Sequence, residues 1–442
     1  MRTHSVEKDP ALPTRHGYRR GVSDPVAPKD PSSVEVVEKP PRVAVRRRLK
    51  SAFLRFLRAQ ATSGVFLLFC TSVALFLANS AWAVPFERFW QSFPELSGTK
   101  LRLGMSLRDF VSDGLMTVFF LVVGLEIKRE LLDGELSSRR KAALPVLGAL
   151  GGMLAPAFLF LAFTHGTPSA RGFGIPTATD IAFTVGVMTL LGSRVPLGAK
   201  VFLTALAIAD DLGAVVLIAI FYTHLSEPLL LLVVLGLGLG LAGLNVLGVR
   251  RLLPYGLLGL LLWMALHKVG IHPTLAGVAV AAAIPLVRTG QPDDERRCPL
   301  HRLIRWLHPY VAFLILPLFA LAQAGVPMPA PSQASALFWQ NPISLGATVG
   351  LVVGKPLGIF CASLLAVRLK LGVLPEHVSH ATLLGASMLA GIGFTMSIFI
   401  TGLAFADPKQ VTAAKLGVLF GSLLSALCGS LFLRIFGRPS RE

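Results

Sequence analysis

The sequence predicts an all-α polytopic membrane protein with about 12 transmembrane helices, arranged as inverted repeats with two discontinuous helices. The first observation is composition: 53% of the 442 residues are hydrophobic and 15% are charged, whereas about 25% are charged in soluble globular domains. The second is that apolar stretches of about 20 residues, long enough to span a bilayer as a helix, recur along the chain. The third is that two of these stretches are broken by glycine or proline.

Net charge and cysteine content argue against two other classes of protein. The formal net charge is +18, but the Lys and Arg residues lie mostly in short loops between apolar stretches, where they orient a membrane protein and do not indicate nucleic-acid binding. Cys70, Cys361 and Cys428 lie in apolar stretches and Cys298 lies in a basic loop, which does not indicate a disulfide framework. A soluble helical protein would need polar faces at 3.6-residue spacing, and most of these stretches lack them.

The first 58 residues are predicted to form a disordered, basic, cytoplasmic extension. Residues 1–58 contain seven prolines, fourteen Lys or Arg residues and six Asp or Glu residues, and such a composition offers too little apolar surface to form a core. The transmembrane domain is predicted over residues 59–436, and a short cytoplasmic tail over 437–442.

The loop charges support the order and orientation of the spans. Connections placed on the inside carry more than twice as many Lys and Arg residues as those on the outside, as the positive-inside rule requires. With an even number of spans, both termini are then cytoplasmic. The longest external connection, 83–109, is predicted to be a plain loop or a hairpin around Ser97 and Gly98. The predicted spans are 60–82, 110–128, 142–164, 175–192, 199–222, 228–248, 254–268, 272–287, 308–324, 343–367, 380–404 and 412–434.

Ionisable residues inside predicted spans mark the candidate site. Asp180, Asp210, Asp211 and Lys355 lie in otherwise apolar segments, and such residues indicate a functional site unless they form a structural ion pair that locks two helices. Three carboxylates and one amine do not balance, and the surplus negative charge favours a cation or a proton. Neighbouring residues on a helix point about 100° apart. Asp210 can therefore pair with a lysine while Asp211 faces an open cavity.

Two interrupted segments, one in each half of the chain, indicate a site near the middle of the membrane. Pro176 precedes Asp180 in the fourth span, and Gly391 and Gly393 interrupt the eleventh; ordinary glycine packing between helices is the alternative. Helix ends exposed at such breaks carry partial charges. If the two segments cross, Asp180 can compensate the positive ends and Lys355 the negative ends.

Carboxylate and hydroxyl oxygens suit a small hard cation. Asp211, together with Asp210, Thr179 or a water molecule, offers ligands for Na⁺ or Li⁺. Burial disfavours an unpaired carboxylate, so that a proton and Na⁺ compete for the same oxygens. A site that must hold one or the other before it moves performs antiport. No cofactor is expected, because the ions themselves are the substrates.

Five segments resemble the NhaA-type sodium/proton antiporters. They are "SDGLMTVFFLVVGLEIKREL" (112–131), "IPTATDIAFTVGVMTLLGSRVP" (175–196), "ALAIADDLGAVVLIAIFYT" (205–223), "GKPLGI" (354–359) and "GIGFTMSIFI" (391–400). The similarity extends over about residues 55–436. NhaA proteins are themselves among the examples from which the inverted-repeat rule was drawn.

This resemblance implies twelve helices, two of them crossed discontinuous helices at the fourth and eleventh spans. It also implies electrogenic exchange of cytoplasmic Na⁺ or Li⁺ for more than one external H⁺, in a bacterial-type plasma (inner) membrane. It implies that Asp211 is the principal cation ligand, that Asp210 pairs with Lys355, and that Asp180 with Thr179 compensates the helix ends. It also implies a homodimer formed through the external loop 83–109.

A group of pH-responsive residues is also implied by the resemblance. Glu126, Glu130 and His308 match the family's pattern, but Ile304 and Arg305 stand where the family has a Glu-His pair. For His308 and His272, packing or capping is the favoured interpretation. Fine tuning by pH is therefore open, whereas the transport motifs are intact.

Other functions fit the sequence less well. An intramembrane aspartyl protease would need a GxGD-like turn, which the sequence lacks, and would leave Lys355 without a role; the chain is therefore predicted not to be an enzyme. A cation channel does not explain two broken helices around one site. A Na⁺-coupled symporter is the nearer alternative, although no pocket for an organic substrate can be identified from the sequence.

Overall fold

The computed structural model describes residues 42–92, 105–223, 226–286, 298–328, 338–375 and 377–437, and every regular element in these segments is helical. The chain divides into two units, Met1–Ser51 and Ala52–Glu442. The helices are α1 (Arg42–Ala78), α2 (Ala83–Gln91), α3 (Leu107–Leu132), α4 (Arg139–Thr164), α5 (Pro168–Thr177, a 3₁₀ helix), α6 (Ile181–Leu190), α7 (Leu197–Phe221), α8 (Leu231–Val246), α9 (Leu252–Val269), α10 (Leu275–Ala283), α11 (Pro299–Gln323), α12 (Pro342–Arg368), α13 (His380–Ala390), α14 (Phe394–Ala404) and α15 (Pro408–Phe436).

The N-terminal boundary differs from the prediction. Helix α1 begins at Arg42, so the assignment of disorder to residues 1–58 is wrong for residues 42–58. The segment "RVAVRRRLKSAFLRFLR" is rich in Arg, Leu, Ala and Lys, which are strong helix formers, and this propensity continues the helix on the N-terminal side of the apolar span, which begins at Gln60. The remainder of the predicted extension, residues 1–41, lies outside the described part of the chain, as does most of the tail.

Among the described residues, nine helices are long and apolar enough to cross a membrane, or up to eleven if each of two bent pairs counts as one span. These helices correspond to eleven of the predicted spans. The predicted span 272–287 corresponds to α10, whose 9 residues are fewer than the roughly 20 that a straight crossing requires. The count of twelve therefore stays a prediction.

Two groups of helices repeat the same order along the chain: a straight helix, a bent pair and a second straight helix. These groups are α4, α5–α6 and α7, and then α12, α13–α14 and α15; together we call them the repeat bundle. Within it, α4 and α12 pack closely, with the backbones of Gly151 and Gly358 facing each other. A side chain at either position would collide with the opposite backbone, so the glycines permit this approach.

The connection 83–109 contains helix rather than only loop. Its first part forms α2, and Arg108 at the start of α3 makes two hydrogen bonds of 2.7 Å to the carboxylate of Glu87 on α2. This pair lowers the pKa of Glu87, because the guanidinium hydrogen bond stabilises the ionised carboxylate. The hairpin predicted around Ser97 and Gly98 lies outside the described residues.

Candidate functional site

The two bent pairs meet at their breaks. Helices α5 and α6 are bent by 40°, and α13 and α14 by 45°. The backbone N–H of Asp180 in the first break donates to the carbonyl of Ile392 in the second at 2.7 Å. Thr179 Oγ1 donates to the carbonyl of Ala390, the last residue of α13, at 3.0 Å. Irregular backbone at membrane depth is tolerated only inside protein or beside water, and here each break satisfies groups of the other.

Asp180 caps the N-termini of two half-helices at once. Its Oδ1 accepts from the backbone N–H of Phe183 on its own helix, α6, at 3.1 Å. Its Oδ2 accepts from Thr395 at the start of α14, from the N–H at 3.2 Å and from Oγ1 at 2.6 Å. The N-terminal end of a helix carries partial positive charge. A buried carboxylate between two such ends is stabilised by both.

Lys355 lies at the C-terminal end of a half-helix. Its Nζ donates to the carbonyl of Thr177, the last residue of α5, and lies 2.8 Å from Asp210 Oδ2. The side chains of both Lys355 and Asp210 are fully buried. Lys355 directly follows a π-helical turn, Gly350–Gly354, and such turns are frequent at functional sites. A positive charge here compensates the partial negative charge of the helix end.

The two adjacent aspartates on α7 have different surroundings. Asp210 Oδ2 accepts from Lys355 and from Thr179 Oγ1, the latter at 2.6 Å. Asp211 is also buried, yet among the described residues its Oδ1 has no hydrogen-bond partner. Asp210 Oδ1 likewise has none. Buried polar atoms in proteins are almost always paired. The two orphaned carboxylate oxygens therefore mark where this site can accept a further ligand or proton.

Close packing explains the glycines of the second break. A Cβ on Gly391 would lie 2.6 Å from Ser425 Oγ and against the carbonyl oxygen of Leu351. A Cβ on Gly393 would lie 3.0 Å from the carbonyl oxygen of Ala178 in the first break. Both glycines have negative φ angles, so space and not backbone conformation requires them.

A cavity lies beside Asp211. Its lining includes Asp211, Thr179 and Asp180 from the repeat bundle, and Gln60, Glu126 and His308 from α1, α3 and α11. Gln60 Nε2 and His308 Nε2 lie 3.2 Å apart. Glu126 and His308 thus share a cavity with Asp211 although they are distant from it in sequence.

Two other residues predicted to be pH-responsive lie elsewhere. Glu130, one turn after Glu126, contacts Arg129 at 3.1 Å. The Nδ1 of His272 is 2.7 Å from Thr274 Oγ1, and its Nε2 is 3.7 Å from Asp113 Oδ1. Neither Glu130 nor His272 lines the cavity.

Sequence reasoning missed Thr395 and Gln60. Thr395 supplies two of the three donors to Asp180, and Gln60 contacts His308 at the cavity. The only signal for Thr395 is its place two residues after Gly393, where a helix restarting after the break would present its N-terminal donors. Gln60 lies at the edge of its predicted span and carries no signal of its own.

The fold and the site together define a polytopic helical membrane protein of the transporter class, with a buried ionisable site where two broken helices meet. The family model described as Na⁺/H⁺ antiporter 1 matches residues 54–433. The chain belongs to this family.

Several relatives cover nearly the same region. The Na⁺/H⁺ antiporter NhaA of Wolinella succinogenes is 44% identical over 430 residues, covering 88% of this chain and 94% of that protein. The Na⁺/H⁺ antiporter NhaA 2 of Pseudomonas syringae pv. syringae is 48% identical, covering 87% and 95%. The Na⁺/H⁺ antiporter NhaA of Escherichia coli O139:H28 is 47% identical, covering 87% and 98%.

Proposed function

We propose that this protein exchanges Na⁺ or Li⁺ for H⁺ across a bacterial inner membrane by alternating access, with Asp211 as the principal ligand of both ions. The observation that carries this proposal is the orphaned, buried oxygen of Asp211 beside the cavity. The names of the relatives, which are Na⁺/H⁺ antiporters, support the choice of ions.

Competition between Na⁺ and H⁺ for Asp211 couples the transport of the two ions. A buried carboxylate without a counter-charge needs either a proton or a metal cation to remain in low dielectric. Among the described residues, no three His, Cys, Asp or Glu side chains are grouped as in a resident metal site. Together with Thr179, Asp210 or water, Asp211 would offer hard oxygen ligands, which suit Na⁺ or Li⁺.

Lys355 links the second aspartate to the proton. A cation that engages Asp210 competes directly with the ammonium group 2.8 Å away. Displaced from its partner inside the membrane, that amine is favoured to lose its proton. Exchange of more than one H⁺ per Na⁺, and hence electrogenic transport, follows if both Asp211 and Lys355 change protonation in the cycle.

The orientation and assembly rest on sequence evidence. The excess of Lys and Arg in alternate connections supports cytoplasmic termini, and Glu126 and His308 are then near the cytoplasmic ends of their predicted spans. Glu126 and His308 then lie on the entry route of Na⁺, where we propose that they adjust the response to pH, with Glu130 and His272 contributing from outside the cavity. A homodimer through 83–109 is proposed from the family resemblance.

The test is transport in everted membrane vesicles. Addition of Na⁺ or Li⁺ to vesicles energised by respiration should collapse the pH gradient, and K⁺ should not. Asp211→Asn should abolish this response while the protein remains in the membrane at normal amounts. Wild-type exchange by this variant would refute the assignment. A gradient that Na⁺ dissipates only with an organic solute present would indicate a symporter.

A further inference from the structure

The cavity separates two sets of helices. Asp211 and Thr179 lie on the repeat bundle, whereas Glu126 and His308 lie on α3 and α11. We call α1, α3 and α11 the flanking helices. We call the boundary between the repeat bundle and the flanking helices the seam. Alternating access requires the seam to open at one end and close at the other.

At the other end of the seam, three hydrogen-bonded polar side chains link the two sets of helices. Lys415 Nζ on α15 of the repeat bundle donates to Gln323 Oε1 on α11 at 3.0 Å. Gln323 Nε2 in turn donates to Ser112 Oγ on α3 at 2.6 Å. Three helices, one from the repeat bundle and two flanking, are thereby joined.

The distance of these three residues from Glu126 and His308 follows from helix geometry. Gln323 is 15 residues beyond His308 on α11, and Ser112 is 14 residues before Glu126 on α3. At a rise of 1.5 Å per residue, these separations are about 21–23 Å along each helix. Lys415, Gln323 and Ser112 therefore lie at the far end of the seam from Glu126 and His308.

The hydrogen bond to Gln323 matters because Lys415 carries an amine with few acceptors. Among the described residues, no carboxylate lies within 4.0 Å of its amine, and the neighbouring Glu87 carboxylate is already engaged by Arg108 through both oxygens. An ammonium group in a partly buried position depends on the acceptors it has. It can leave Gln323 at low cost only when water reaches it, which is the condition created when the far end opens.

We propose that Lys415 and Gln323, with Ser112 behind them, form a latch that holds the far end of the seam closed while the cavity is open to Asp211. They are positioning residues, since they act on the site through the arrangement of the helices. The proposal rests on the proposed alternating-access exchange. The latch stabilises the state in which the cavity gives access to Asp211. It is broken in the state in which the far end of the seam is open.

Side-specific kinetics test the latch. Lys415→Met keeps the length of the side chain and removes the donor; Gln323→Leu removes both the acceptor for Lys415 and the donor to Ser112. Each should shift the balance between the two states by about ten- to a hundredfold, the effect of losing one charge-assisted hydrogen bond. The apparent KM for Na⁺ at the far side, measured in right-side-out vesicles at fixed pH, should fall by up to that factor. The KM at the cavity side, measured in everted vesicles, should rise or stay constant.

Three further variants separate this role from a structural one. Lys415→Arg retains a donor and should restore the wild-type KM at both sides. The double variant Lys415→Met with Gln323→Leu should show no more than the effect of Gln323→Leu alone, because Lys415→Met removes only a contact that Gln323→Leu already removes. Lys409→Met, at an exposed position on the same helix, is the matched control and should change neither value.

The outcomes distinguish the latch from the proposed function. Equal loss of maximal rate at both sides, with KM unchanged, would mean that Lys415 only stabilises the fold and would overturn the latch. If Lys415→Met does not reach the membrane, Gln323→Leu alone decides between these results. Absence of Asp211-dependent exchange in the wild type would instead overturn the proposed function.

Discussion

Replacement of Asp180 by Asn tests the joint between the two broken helices. The carboxylate accepts three hydrogen bonds, from Phe183 N–H, Thr395 N–H and Thr395 Oγ1. An Asn side chain can keep its oxygen toward Phe183, but its amide nitrogen then faces the two donors of Thr395. The substitution therefore removes two hydrogen bonds and the charge that both helix N-termini favour.

The magnitude follows from these contacts. A hydrogen bond to a charged group contributes about 1.5–3 kcal/mol, and each helix terminus adds about 0.3–1 kcal/mol. Thr395 Oγ1 can rotate to another acceptor, which recovers part of the loss. We expect Asp180→Asn to lower the free energy of unfolding by about 3 kcal/mol, a large fraction of the stability of a typical protein.

Thermal unfolding of the detergent-solubilised protein, followed by Trp fluorescence, measures this effect. Asp180→Asn should lower Tm by several degrees, and Thr395→Val, which removes only the hydroxyl donor, by less. Thr401→Val is the control, because Thr401 is a buried threonine on the same helix whose hydroxyl donates to the carbonyl of Ser397 within that helix. A Tm for Asp180→Asn equal to that of the wild type would refute the view that this carboxylate joins the two half-helices.

Two further predictions concern packing and pH. Gly358→Leu should lower Tm markedly, because even a Cβ at this position meets Ala155 Cβ at 2.8 Å and the backbone of Gly151, and overpacking costs about 1–3 kcal/mol or more. Gly402→Ala, on α14 with open space around it, is the control. Equal Tm values for the two variants would contradict the close approach of α4 and α12. Glu87 has a pKa below its ordinary value, so its pair with Arg108 contributes stability above about pH 4.5 and loses it as pH falls through the lowered pKa. The Tm of the wild type should exceed that of Glu87→Gln at pH 7, and this difference should shrink below about pH 4. For the control Glu227→Gln, at an exposed position, the difference in Tm from the wild type should not depend on pH. A pH-independent difference for Glu87→Gln would rule out the ionised pair.

The breaks could be predicted from sequence because their causes are local. Pro176 and the glycines of "GIGF" weaken the helical ladder around them, and Asp180 lies in the first break, at the start of α6. The adjacency of Asp210 and Asp211 dictates that they face different directions. The roles assigned to these residues in transport stay predictions.

Other features depend on contacts between distant parts of the chain. Nothing near Lys415 marks it, since its partner Gln323 is 92 residues away and it stands close to the start of a predicted span, where a lysine normally reaches the membrane surface. Thr395 is one of many threonines in apolar segments until Asp180 is placed against it. The start of α1 was misplaced because charge and proline content dominate the first 58 residues as a whole, whereas the helix formers are concentrated in the last part.

The shared capping by Asp180 has a mechanical consequence. Hydrogen bonds from Thr179, Asp180, Thr184 and Thr395 tie the two bent pairs together at four points in sequence. The breaks are thus stiff with respect to each other, even though each is an interruption of regular helix. A cation bound beside the breaks would move together with both bent pairs as one rigid unit. The relative motion would then occur at the seam with the flanking helices.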